Sequence, residues 1–168
     1  MMKLRFLLLI IGISIVAQAQ ENISYQKPPK EILELADYER APSVSMDTKK
    51  EYMLLSYRNT YKTLDELNQE EMRLGGLRIN PITNISSTVT YINNLKLRKI
   101  KEKAEIQIVG LPQNLKITNI SWSPNEKKIA FTNTTNSGVE LWIVDVLTAT
   151  AKKITQDNLN ANLGNPYT

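Results

Sequence analysis

Two arginines, Arg73 and Arg78, stand either side of a Gly75-Gly76 pair. A guanidinium is planar and makes paired hydrogen bonds to carboxylates. Such a pair could hold a carboxylate of a substrate or a partner. It could equally form salt bridges to local acids such as Glu70 and Glu71. Glu66, Glu70 and Glu71 could serve general acid–base chemistry, or line a solvated helix face. Trp122 and Trp142 could stack on a ligand, or pack in a core as strand residues do. Asp145 and Asp157 fit no hard-cation loop by their spacing. No metal, cofactor or catalytic residue is therefore expected, and Arg73 and Arg78 remain the candidates for substrate or partner contact.

The absences narrow the chemistry. The 168 residues contain no histidine and no cysteine. Histidine is the side chain that most readily acts as a base near neutral pH. Neither a Ser-His-Asp nor a Cys-His arrangement can be assembled from these residues. Disulfides, thiolate nucleophiles and cysteine-based zinc sites are excluded. The tight strand-to-helix turn Gly-x-Ser-x-Gly, which presents a nucleophilic serine, is also missing. No activity is expected of the chain alone.

The net charge is +4. Lys3 and Arg5 lie in a segment expected to be removed, which leaves 19 basic residues against 17 acidic ones. That balance does not point to nucleic acid. The run Lys96, Arg98, Lys99, Lys101, Lys103 is interrupted by Leu97, Ile100 and Glu102, and reads as a solvated strand or loop face.

The elements that must position these residues begin with a leader. Lys3 and Arg5 precede an apolar stretch from Phe6 to Val16, and Ala17-Gln18-Ala19 supplies small residues for cleavage after Ala19. This is the pattern of a signal peptide over residues 1–19. The stretch falls short of the roughly twenty residues that span a bilayer, so no stable membrane anchor is expected. Residues 20–45 read as an extended lead-in, stiffened by Pro28-Pro29, with a short helical turn over Lys30–Ala36. Strands are expected at 43–46 and 51–58. Thr63 and Glu66 make a capping box for a helix over Thr63–Met72, which Gly75-Gly76 would stop. From Ser86 onward strand follows strand, at 87–92, 96–100, 104–109, 117–122, 128–133 and 139–146, with a last one beginning at Lys152 after a turn over 148–151. Asn136-Ser137-Gly138 is a hairpin turn in which glycine can take a positive φ. On the strand 139–146, Leu141, Ile143 and Val146 are expected inward, with Trp142 and Val144 on the other face. Short strands at such spacing indicate a sheet-built, all-β fold.

Two segments carry a family resemblance. The first runs Ile120-Ser-Trp-Ser-Pro-Asn-Glu-Lys-Lys-Ile-Ala-Phe131, then Leu141-Trp-Ile-Val-Asp145, then Lys153-Ile-Thr155. It resembles one four-stranded antiparallel blade of a TolB-like or prolyl oligopeptidase propeller. Asn125 and Glu126 stand where that repeat has Asp and Gly, and Ala149 where it has Gly. The second, Glu66-Leu-Asn-Gln-Glu-Glu-Met-Arg-Leu-Gly-Gly-Leu-Arg-Ile-Asn-Pro81, resembles the glutamyl-endopeptidase-like branch of the prolyl oligopeptidase family. Glu70 and Gly75 replace that pattern's Pro and Ala. Tyr38-Glu-Arg-Ala-Pro42 fits the same branch.

The resemblance implies an incomplete β-propeller over 46–168, with a complete blade at about 115–157. The α/β-hydrolase domain that bears the family's Ser, Asp and His is expected to be absent from these residues. It implies the front portion of an exported serine peptidase, bacterial and periplasmic or extracellular. In the intact parent this portion would gate peptide substrates to the hydrolase domain. No nucleic-acid partner is expected, and the open sheets invite edge-strand association of the fragment. The alternatives are an exported TolB-like binding module and a non-functional gene remnant.

Overall fold

A computed structural model describes residues 26–168, apart from 103 and 163. The signal peptide with its cleavage after Ala19, and the first residues of the lead-in, lie outside the described residues.

The chain divides into two units, Met1–Asp37 and Tyr38–Thr168. In the first, helix α1 (Lys30–Ala36) starts on Pro29, whose carbonyl accepts from the amides of Ile32 and Leu33. Proline suits this position because no amide there needs a helical partner. None of the helix residues is buried.

The second unit is built of antiparallel strands: β1 (Ser43–Met46), β2 (Tyr52–Tyr57), β3 (Met72–Leu74), β4 (Leu77–Ile79), β5 (Asn94–Lys99), β6 (Glu105–Gln107), β7 (Ile117–Trp122), β8 (Lys128–Thr134), β9 (Val139–Asp145) and β10 (Thr150–Lys153). The first sheet has the order β1-β2-β5-β6 and the second β10-β9-β8-β7. Strands β3 and β4 form a separate hairpin within the long β2–β5 connection, preceded by the short helix α2 (Leu64–Leu67). The fold is thus mostly β, with open sheets.

One core joins the two sheets. Leu54, Leu95 and Leu97 from the first pack with Ile117, Ile129, Phe131 and Val144 from the second, all of them fully buried. The β5 pattern shows why: Leu95 and Leu97 point inward while Lys96 and Arg98 lie on the other face, the period of a half-covered strand. Isolated bridges Ile92–Ile117 and Val109–Thr150 tie the sheets together at their margins. Three hydrogen bonds that involve side chains add to this. Trp122 Nε1 donates to Ser45 Oγ at 2.9 Å. The Glu126 carboxylate accepts from the Thr48 amide at 2.7 Å and from its hydroxyl at 2.9 Å. Glu126 and Ala149 both take left-handed backbone conformations, with φ of 59° and 51°. The two turns therefore keep a glycine-like geometry without glycine.

Several sequence expectations need correction. The helix expected over 63–72 is four residues long. Its capping box forms, but Leu64 and Leu67 are exposed, so no buried stripe extends it. Gly75-Gly76 does not stop a helix. Both residues have positive φ and close the β3–β4 hairpin, as a type I′ turn requires. No strand forms over 87–92, where only the bridge at Ile92 appears. The strand expected over 104–109 narrows to Glu105–Gln107, and the last strand begins at Thr150, because Ala149 completes the preceding turn.

Val146, expected inward, is buried in the core, but the facing of the other four residues, on β9, is the reverse of the expectation. Val144 is fully buried and Trp142 packs against the core, whereas Leu141 and Ile143 are half-buried on the opposite face. The register with β8 sets this, since Val144 lies opposite Ile129 and Trp142 opposite Phe131. Gly138 does not take a positive φ. Its requirement is space, since a Cβ there would lie 1.7 Å from the Asp157 carbonyl oxygen.

Candidate functional site

The type I′ turn places Arg73 and Arg78 directly opposite one another on β3 and β4. Like charges in that position repel. Glu71, just before β3, answers them. Its Oε1 accepts from Arg73 Nε at 2.9 Å and its Oε2 from Arg78 Nε at 2.8 Å. Ser87 Oγ donates to Oε2 at 2.6 Å. The sequence signals the arginines and the acid, but Ser87, 16 residues away, carries no pattern that would predict it. The hairpin thereby separates its faces. Met72, Leu74 and Leu77 share one face and remain exposed, and the arginines share the other.

The hydrogen bond from Arg78, then those from Ser87 and Arg73, holds the Glu71 carboxyl at about 2, below its ordinary 4.5. A carboxylate whose folded-state value is depressed contributes stability above its unfolded value, and that contribution is lost as pH falls. The wild type is therefore expected to lose stability relative to Glu71→Gln as pH is lowered from 4.5 toward about 2. Urea midpoints measured across that range check this, and parallel profiles for the two proteins would refute it.

The segment after β4 is held by Asn80, which is buried. Its Oδ1 accepts from the amides of Ile82 and Thr83 at 2.9 and 3.0 Å, and its Nδ2 donates to Gln69 Oε1 at 3.2 Å. An Asx turn of this kind is what Asn-Pro signals in sequence. The result is a cleft of about 380 Å³ between the β2–β5 connection and the β8–β9 end of the second sheet. Arg78, Lys62, Lys116, Tyr91, Thr83 and Thr134 are in its wall. Lys62 Nζ donates to the Ser87 carbonyl at 3.1 Å, and Lys116 Nζ pairs with Asp65 at 3.4 Å. Among the described residues, the buried hydroxyl of Thr83 has no hydrogen-bond partner. Burial pushes the Tyr91 phenol up.

Of the remaining candidates, Glu66 is in the cleft wall and the others lie away from it. Glu66 is engaged with Thr63 in the capping box, and Glu70 is exposed. Trp142 stacks on Phe131 at a centroid distance of 6.4 Å. Trp122 is partly buried against the core. Asp145 accepts from the amides of Leu147 and Thr148, which pins the β9–β10 turn. Asp157 bonds Ser137. In the basic run on β5, Lys96 pairs with Glu105 at 2.8 Å and Lys99 with Glu102 at 3.1 Å, while Arg98 donates to the Glu102 carbonyl.

No protein-family model matches the chain, and no solved structure matches it. Two curated plant proteins do. The chain is 25% identical over 142 residues to a probable chloroplastic glutamyl endopeptidase of Oryza sativa subsp. japonica, covering 79% of this chain and 15% of that protein. It is 27% identical over 139 residues to a protein of the same description from Arabidopsis thaliana, covering 77% of this chain and 14% of that one. The chain thus spans a small fraction of the length of the curated relatives it matches. The similarity relates it distantly to peptidases.

Proposed function

We propose that this chain is the propeller-type front portion of an exported serine peptidase of the prolyl oligopeptidase family, in its glutamyl-endopeptidase-like branch. The observation that carries the reading is the similarity to glutamyl endopeptidases across most of the chain. Two successive four-stranded antiparallel sheets around a shared core are compatible with neighbouring blades. In this reading the nucleophile, its base and the orienting acid belong to a separate hydrolase domain. The chain contributes the wall that admits peptides to that domain. The leader directs the protein out of the cytoplasm.

Sequencing the coding DNA beyond the codon for Thr168 tests this. An open frame that continues through further strand repeats to a Gly-x-Ser-x-Gly turn, with later Asp and His codons, is the expected result. A stop with no hydrolase downstream would limit the peptidase reading to ancestry and leave a binding module or a remnant.

A further inference from the structure

We infer that Arg73 and Arg78 form a receptor for a carboxylate from outside the chain, with Glu71 holding the two guanidiniums in alignment from behind. Three observations carry this. The first is the charge balance. Two guanidiniums lie directly opposite each other in the ladder, and one carboxylate sits between them, so the cluster keeps one positive charge. The second is the unused hydrogen-bonding capacity. Each arginine engages Glu71 through Nε, and among the described residues no acceptor is bonded to the Nη groups of either. The third is access. The Arg73 and Arg78 side chains are 77% and 51% exposed, while Glu71 is only 19% exposed. The acid is therefore the inner, fixed member of the cluster, and the Nη donors are its outer members.

A carboxylate fits this fork better than a sulfate or phosphate does. Its two oxygens match two parallel N–H donors, and one negative charge neutralises the single residual positive charge. Arg78 also lines the 380 Å³ cleft. A cleft of that size takes a few residues of a chain carrying the carboxylate. Of the other charges of the cleft wall, Lys116 is paired with Asp65, Lys62 donates to the Ser87 carbonyl and Glu66 accepts from Thr63. The inference that the carboxylate arrives on a peptide rests on the peptidase reading. The carboxylate receptor itself does not.

The carboxylate can come from a peptide C-terminus or from an acidic side chain, and titration of the full chain separates the two. The readout is the Nε–Hε resonances of Arg73 and Arg78 in ¹⁵N-labelled protein. The ligands are acetate, a short neutral peptide with a free C-terminus, its C-terminal amide, and amidated peptides with one Glu or one Gln. Acetate and at least one carboxylate-bearing peptide are expected to shift both resonances, whereas the Gln amide should not. Whichever of the two carboxylate peptides binds identifies the source. Arg73→Gln, at an exposed position, is expected to weaken binding about tenfold through loss of a charge-assisted hydrogen bond. Arg73→Lys should retain part of it.

Glu71→Gln tests the alignment from behind. The amide has one acceptor oxygen where the carboxylate has two, so one guanidinium loses its hold and the carboxylate-bearing peptide is expected to bind less tightly than to wild type. Peptide binding that is absent in wild type and appears only in Glu71→Gln would mean that the ligand takes the place of the Glu71 carboxylate in a structural ion pair, and would overturn the inference, as would unchanged resonances with every carboxylate in wild type. Either outcome would leave the peptidase reading standing, and a missing hydrolase domain would leave the receptor standing.

Discussion

Phe131→Ala is expected to lower stability by about 3–5 kcal/mol, the range for removing a fully buried aromatic ring. Phe131 is fully buried at the centre of β8, which pairs with β7 on one side and β9 on the other. Its ring stacks on Trp142, nearly parallel at 11°. Ile117, Ile129 and Val144 belong to the same cluster, as do Leu54, Leu95 and Leu97 from the first sheet. The cavity left by alanine therefore loosens both sheets at once. Domains of this size have only about 5–15 kcal/mol of stability in total. Urea unfolding of the full chain, followed by tryptophan fluorescence, measures the effect. Phe131→Leu keeps most of the volume and is expected to cost clearly less. Equal losses for the two variants would show that the ring does not fill the core as described.

Gly138→Ala is expected to cost about 3 kcal/mol or more, at the upper end for forced overpacking. The obstacle is the Asp157 carbonyl oxygen, 1.7 Å from where the new Cβ would stand. That atom is backbone and cannot rotate away. The same oxygen accepts from the Val139 amide at 3.1 Å, and the Val139 carbonyl accepts from Leu159 at 3.1 Å. Relieving the clash therefore pulls the returning chain away from the start of β9. Gly75→Ala is the comparison. Gly75 has φ of +54° with nothing within 4 Å of the new Cβ, so alanine meets only the left-handed backbone cost, about 1–2 kcal/mol. Gly138→Ala should also raise amide exchange at Val139 and Leu159, which Gly75→Ala should not. Matching losses and unchanged exchange would mean that the segment at Asp157 does not approach Gly138 this closely.

The strands were legible wherever the chain speaks in period two. Alternation in β5, where Leu95 and Leu97 alternate with Lys96 and Arg98, declares a strand with one covered face. The run at 128–133, with Ile129 and Phe131, does the same. The runs at 117–122 and 139–146 read as strands from their β-branched and aromatic residues, and the turn at Ser123–Glu126 follows from proline and a short polar stretch. The missing chemistry was legible too, because the absence of histidine and cysteine needs no fold to be read. So was the capping box of Thr63 and Glu66, since both partners lie within one turn of helix. These are local properties, decided by neighbours a few residues apart.

What the tertiary structure decided is non-local. Gly75-Gly76 reads equally as a helix stop or as a hairpin turn. The short helix buries no stripe, so the residues that follow pair as strands. The facing of β9 depends on its register with β8, which puts Val144 rather than Ile143 in the core. Gly138 is required by an oxygen 19 positions away, and its backbone torsion alone demands nothing. The Arg73–Arg78 cluster shows the division most clearly. The residue types announced guanidiniums that want a carboxylate. Only the register of a three-residue hairpin, with Glu71 on one side and Ser87 brought in by the Asn80 turn, decided which carboxylate they hold and which donors remain directed outward. Side-chain chemistry is written residue by residue, but the pairing of groups far apart in sequence is set by packing and register, which no short window of residues contains.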